Sequence, residues 1–218
     1  HFPPGTYRHS LPIQTYAHIR LLGAGRHNTV LVKYGSGTLA AGAQSNQSLV
    51  CLDLRRMSDN AGNVNCAIWI ADPIRALNVE IADMTIRADA INATGSPVRC
   101  GIAGVGFSDS TIRDVTLEFF SVAALVMPVT FFSRITGVKS YRCGQGISLE
   151  AGTSMTIESN YAIYCQRYGM YLRDMSYLSA KNNACDGLNN IANASDYTDR
   201  TIDSRCYVLD ACHGMDFS

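Results

Sequence analysis

One short phrase recurs through the second half of this chain, and it limits the possible folds more than any other feature. "RCGQGISLEAG" begins at Arg142, "YCQRYGMYLRD" at Tyr164, "ACDGLNNIA" at Ala184 and "ACHGMDF" at Ala211. Each carries a cysteine, a short gap, a glycine and then an apolar residue. The cysteines are 143, 165, 185 and 212, in steps of 22, 20 and 27, and Cys100 in "RCGIAGVGF" lies a further 43 residues back. A repeat this short cannot bury its apolar side alone, but copies stacked on one another form a solenoid with a shared core. Its strands are visible as apolar residues two apart: Val79/Ile81, Met84/Ile86, Val115/Leu117, Ile147/Leu149, Met155/Ile157 and Met170/Leu172. That is the period of a strand with one face turned inward. No segment sustains a capped helical pattern; the best, residues 68–83, is interrupted by Pro73. Leucine-rich repeats share the period, but their Leu-x-Leu-x-x-Asn consensus is absent. The expected fold is therefore all-β, a single-stranded parallel β-helix with coils of about 20–23 residues stacked about 4.8 Å apart.

Composition narrows the function. Eighteen basic residues balance eighteen acidic ones, which excludes the basic surplus of a nucleic-acid binder. No apolar run reaches the length of a membrane span; "SVAALVMPV" (121–129) is the longest of note and contains Pro128. Neither nucleic acid nor membrane insertion is expected. The opening "HFPPGTYR" and the closing "HGMDFS" read as the interior of a longer protein. The expectation is one β-helix domain over 1–218, a fragment, with the first coils in 1–34 and regular coils in 76–218. The eight cysteines have no metal-type spacing, the nearest pair being six residues apart at Cys206 and Cys212. They are expected to be free thiols packed as small hydrophobes, with no metal and no cofactor.

Several local motifs have ordinary structural explanations. "GAGRHNT" (23–29) has two glycines of a dinucleotide loop but no third, so it reads as a tight corner. Cys165 beside Arg167 would have an activated thiolate only with a histidine partner that the sequence does not supply. His213, between Asp210 and Asp216, reads as solvated. Asn46, Asn92 and Asn193 head glycosylation sequons, which are short enough to arise by chance.

"FPPGTYR" (2–8) followed by "LPIQTYAHIRLLGAGRHNTVLV" (11–32) resembles the opening of the pectate-lyase-like superfamily. "SNYAIYCQRYGMYLRDMSYLSAKNNACDGLNN" (159–190) and "CYVLDACHGMDF" (206–217) resemble the coils of bacteriophage and prophage tailspikes. The resemblance implies a right-handed helix, a homotrimer in the virion tail assembled in the host cytoplasm with reduced cysteines, and bacterial surface polysaccharide (capsule or O-antigen) as ligand. It also implies depolymerase activity, hydrolase or lyase, for the parent protein. Two alternatives remain open: a non-catalytic structural or receptor-binding tail segment, and a secreted pectate-lyase-like polysaccharide lyase. A lyase of that kind implies clustered aspartates for Ca²⁺, which are not evident, and disulfides would favour it.

Aligning the coils on their glycines places Ser148, Tyr171, Asn189 and Asp216 in one row and puts Glu150, Arg173 and Asp174 beside them. Such a strip has an aromatic platform for sugar C–H faces and charged groups for hydroxyls. Glu150 and Asp174 are the candidate catalytic carboxyls, acting as acid and base or nucleophile. Tyr171, Arg173, Asp186 and Asn189 are the candidate substrate-binding residues, with Arg173 as cation for a uronate carboxylate. The same alignment puts Asp186 level with Gln145 and His213 and turns it outward. The competing reading is that all of these are solvated residues on a β-helix exterior.

Overall fold

The computed structural model describes residues 1–40, 63–70, 77–91, 93, 95–104, 106–187 and 205–218. Among them the chain is all-β, and its strands form two large parallel sheets, of twelve and nine strands, with one short antiparallel pair. No helix among the described residues is long and apolar enough to cross a membrane. The parallel β-helix expected from the repeat is the fold. Thr111, Arg134, Thr156 and Ser179 lie in register on successive coils, in steps of 23, 22 and 23 residues.

A representative coil runs Ile147–Thr153, Thr156–Glu158 and Tyr161–Ile163. The next repeats it as Tyr168–Ser176, Ser179–Lys181 and Ala184–Asp186. In these two coils the first, long strand belongs to the nine-stranded sheet, and the shorter ones to the other. Ile68, Ile102, Leu125, Ile147 and Met170 stack in register on the long-strand face, and Ile81, Ile112, Ile135 and Ile157 on the other. All are buried in one core, as are the twelve residues of the period-two pairs. Each inward row thus continues from coil to coil, so a long bore is filled by residues that are close neighbours only in space.

The corners are built by columns of left-handed residues. Asp83, Asp114, Gly137, Ser159 and Asn182 form one; Phe119, Arg142, Tyr164 and Gly187 a second; Asp109, Phe132, Ser154, Tyr177 and Gly214 a third; Ala151, Asp174 and Ala211 a fourth. A positive φ is cheapest for Gly, Asn and Asp, and the first column follows that rule at every position but Ser159. Buried polar ladders back the corners: Asn160 bonds Val138, Ile135 and Asn183, and Ser110 is bonded by Val79. "GAGRHNT" is a corner, as expected. The Ala24 N–H donates to Thr29 Oγ1 at 2.9 Å, and a Cβ on Gly23 would strike the Asp83 carbonyl oxygen.

The cysteine ladder needs correction. Cys143 and Cys165 do sit on neighbouring coils, with the Gln166 N–H donating to the Cys143 carbonyl. Cys185, however, stacks on Ala162 and Ser140, Cys100 lies between Cys66 and Ala123, and the His213 N–H after Cys212 bonds the Met175 carbonyl. The aligned glycines do different work. Gly146 and Gly169 begin long strands, whereas Gly187 and Gly214 are left-handed corners of two other columns. Asp186 accordingly stands level with Ile163 and Tyr141, not with Gln145 and His213.

The expectation of reduced cysteines also fails at one place: Cys185 and Cys206 form a disulfide. Cys66, Cys100, Cys143, Cys165 and Cys212 are in no disulfide. Burial pushes the Cys165 thiol up to about 12 and Cys143 well above its ordinary value. Packed, protonated thiols are what such sites support.

Candidate functional site

Ile147 and Leu149 point into the bore, so Ser148 and Glu150 point outward; the same alternation turns Tyr171 and Arg173 outward on the next coil. In register, Ser148 stands beside Tyr171 and Val208, and Glu150 beside Arg173 and Asp210. Glu150, Tyr171, Arg173 and Asp174 are therefore together on one face. Asp210 joins them, a residue the glycine alignment left out because the step from Arg173 to Asp210 is longer than a repeat.

The electrostatics of the strip bear on Arg173. Its Nε lies 3.5 Å from Asp174 Oδ2 and 3.6 Å from Asp210 Oδ2. Tyr171 first, then Glu150, Asp174 and Asp210, raise the guanidinium above its ordinary value. A sugar carboxylate approaching Arg173 would compete with three acids already there. Glu150 is buried at 6% exposed while Asp174 is exposed, so the two carboxyls occupy unlike surroundings. The Tyr168 and Tyr171 rings stack with centroids 5.8 Å apart and planes at 23°.

Two other candidates lie elsewhere. Asp186 is on the twelve-stranded sheet, where the Tyr161 hydroxyl donates to its Oδ2 at 3.4 Å. Asp216, placed beside Tyr171 by the glycine alignment, pairs instead with Lys181 at 3.1 Å on that same sheet. Asn189 and the three sequon asparagines lie outside the described residues. Among the described residues no three His, Cys, Asp or Glu side chains converge as a metal site would.

A second feature of the long-strand face escaped the sequence reading. At the beginning of the long strands a cleft of about 410 Å³ is lined by Arg99, Ser121, Val122, Gly144, Gln145, Gln166 and Arg167. These residues come from four successive coils. The Val122 N–H donates to the Arg99 carbonyl and the Arg167 N–H to the Gly144 carbonyl, which puts Arg99, Val122, Gly144 and Arg167 in one row. A Cβ on Gly144 would press on the carbonyl oxygens of Ser121 and Val122, so only glycine permits the notch between the two arginines. Gln145 faces it, 3% exposed, and its side-chain oxygen makes no hydrogen bond to any described residue. Buried acceptors are ordinarily satisfied. The sequence signal was present, since Arg99, Gln145, Gln166 and Arg167 each lie within two residues of a repeat cysteine. Along the strands the cleft leads to Tyr168, Tyr171 and then Arg173, an outer track of on the order of 20 Å.

The family model described as rhamnogalacturonase A/epimerase, pectate lyase-like matches residues 1–216. No curated protein matches the chain. Among solved structures it is similar to ORF18 of Geobacillus virus E2, at 12% identity and a TM-score of 0.62, covering 97% of this chain and 39% of that one. It is also similar to the catalytic domain of a GH87 α-1,3-glucanase in complex with nigerose, at 19% identity and a TM-score of 0.54, covering 84% of this chain and 30% of that one. A third, the A-module of Azotobacter vinelandii mannuronan C-5 epimerase AlgE4, matches at 12% identity and a TM-score of 0.44, covering 99% and 66%. The chain thus spans well under half of the first two, and likeness at such identities is likeness of fold.

Proposed function

We propose, since this chain belongs to the rhamnogalacturonase A/epimerase, pectate lyase-like family, that its long-strand face recognises a polysaccharide, with the Arg99–Gln145–Arg167 cleft as the primary contact. The observation that carries this is Gln145. Gln145 lines a cleft between two arginines, and its buried amide oxygen has no donor among the described residues. A sugar hydroxyl is such a donor, and the arginines suit an anionic substituent on the same chain. Tyr168 and Tyr171 then offer ring faces along the track.

In this reading the protein is part of a phage tailspike or tail fibre, a homotrimer in the virion tail that binds capsule or O-antigen. The similarity to a phage protein supports it. Glu150 and Asp174 are its catalytic carboxyls if the parent cleaves its receptor, Glu150 in the drier surroundings suited to a general acid and Asp174 in solvent. Tyr171, Arg173 and Asn189 remain its proposed substrate contacts, and Asp186, on the twelve-stranded sheet, would make a contact apart from this face. Arg173 is better placed to orient Glu150, Asp174 and Asp210 than to take a sugar carboxylate. The Cys185–Cys206 bridge favours a second reading, a secreted polysaccharide lyase, because disulfides persist in oxidising compartments.

Binding of capsule, O-antigen and polygalacturonate by calorimetry, with assays for new reducing ends and for unsaturated uronate, separates these readings. Arg167→Ala is expected to weaken binding by about 10- to 100-fold and Gln145→Leu by about 2- to 10-fold, with unchanged melting temperatures. Glu150→Gln and Asp174→Asn would abolish cleavage and spare binding. Binding without any cleavage by the unaltered protein would sink the enzyme reading, and wild-type affinity in both cleft variants would sink the cleft.

A further inference from the structure

Two residues of the corner column that follows the long strands break the preference for Gly, Asn and Asp while standing in solvent. They are Phe132 and Tyr177, with φ of 48° and 51°, and they are 64% and 71% exposed. A bulky side chain in the left-handed region is an outlier that the surrounding structure must hold in place. The other aromatics in such positions have an evident packing reason. Phe119 and Tyr164 flank the Tyr141 ring, both at 5.9 Å, and the Tyr164 ring lies over Gly187. Among the described residues neither Phe132 nor Tyr177 stacks on another ring or a cation. Backbone strain and exposed apolar area both count against these two residues; one edge of the Tyr177 ring lies against Gly214, but most of both rings faces solvent.

Their placement is regular. Phe131, Thr153 and Ser176 lie in register on successive coils, so Phe132, Ser154 and Tyr177 follow one another along the helix axis. The two rings stand two coils apart, about 10 Å, and the coil between them presents the Thr153 and Ser154 hydroxyls, 3.4 Å from each other. The column lies four residues beyond Glu150 and Arg173, so it is the far border of the same long-strand face.

We infer that Phe132 and Tyr177 form an aromatic rail for an extended saccharide lying along the helix axis. The rings take the C–H faces of alternate sugar units, and Thr153 and Ser154 meet the hydroxyls of the unit between. The inference rests on the polysaccharide reading and adds a second contact track to it. A saccharide suits this surface because the rings are separate, with a hydroxyl-bearing coil between them; a protein partner would call for a contiguous apolar core, from which serine is depleted. Sugar rings are small amphipathic units with one apolar face, which isolated aromatic platforms match.

The rail predicts opposite effects on binding and stability. Asparagine accepts the left-handed conformation, so Phe132→Asn and Tyr177→Asn are expected to keep or raise the melting temperature. Each weakens binding by about five- to tenfold, the worth of one aromatic contact. The probes are polygalacturonate and an α-1,3-glucan with their oligosaccharides from the disaccharide upward, and the double variant should lose affinity only for chains of about three units or more, long enough to reach both rings. Equal binding by wild type and both variants, with Arg167→Ala impaired, overturns the rail and leaves the cleft standing. No binding of any probe by the wild type overturns both. A change in oligomer mass on light scattering, with saccharide binding unaltered, makes the corner a subunit contact and also overturns the rail.

Discussion

Replacing Asn160 by alanine tests whether internal polar ladders hold the coils together. The side chain is buried, accepts the Val138 N–H at 2.8 Å, and donates to the Ile135 carbonyl at 3.0 Å and to Asn183 Oδ1 at 2.9 Å. Alanine leaves the Val138 donor and the Ile135 acceptor in a dry corner. Each orphaned group costs about 1–3 kcal/mol, so the expected loss is about 3–5 kcal/mol. That is a large share of the 5–15 kcal/mol or so that holds a typical domain. Asn183 donates to the Ile157 carbonyl at 2.8 Å but is only half-buried, so water can replace much of what Asn183→Ala removes. Its cost should be about 1–2 kcal/mol. In a urea titration followed by circular dichroism, with a slope of about 2–3 kcal/mol/M, the Asn160 variant shifts its midpoint by more than about 1 M. A loss below about 1 kcal/mol at Asn160, or equal losses at the two positions, would refute the reasoning.

Two further predictions follow from buried groups. The Cys185–Cys206 bridge spans a sequence separation of 21, so Cys206→Ser or reduction should cost about 3 kcal/mol on the chain-entropy account; alkylation of all eight cysteines without reductant would refute the bridge. Lys33 is 0% exposed, its Nζ donating to the Tyr34 and Gly35 carbonyls at 3.3 and 3.2 Å, and burial lowers its pKa from 10.5. The folded state therefore gives up this proton at lower pH than the unfolded chain, so Lys33 makes stability rise with pH between its folded value and 10.5, and below that window its charging penalty is constant. Lys33→Met should stabilise the protein at neutral pH by about 1–3 kcal/mol. The raised Cys66 thiol and lowered His9 each feel the Lys33 charge, so the difference between the two pH profiles reports the lysine together with the shifts it imposes on them; a destabilised methionine variant would mean that the two carbonyl bonds outweigh the buried charge.

The architecture was legible because a solenoid writes its core as a local pattern. Ile147 and Leu149, then Met170 and Leu172, each declare an inward face within three residues, and the period of 22–23 repeats it down the chain. Registration was not legible, because a cysteine followed by glycine meets more than one need. Gly146 and Gly169 begin strands, and Gly187 and Gly214 turn corners; all four satisfy the same short phrase. Aligning on the phrase kept Glu150 and Arg173 together, where the step was regular. It misplaced Asp186 and Asp216, where the glycine sits at another corner.

The same cause hid the cleft and lost Asp210. Arg99, Gly144 and Arg167 share a row only through backbone bonds to intervening coils, and nothing in a 20-residue word marks which charges will be stacked. Asp210 reaches Arg173 across a step of 37 residues, in which the pattern is interrupted. Core rows are mostly apolar, with an occasional small polar residue such as Ser140, and so announce themselves. Outer rows are freer where solvent reaches them, although the row of Trp69, Ala103 and Val126 is buried and apolar; their meaning lies in which neighbours the register brings beside them. Phe132 and Tyr177 are the exception on this surface: at a left-handed, solvent-facing corner an aromatic residue is the costly choice, so the register that pairs them points to a ligand more directly than the charges do.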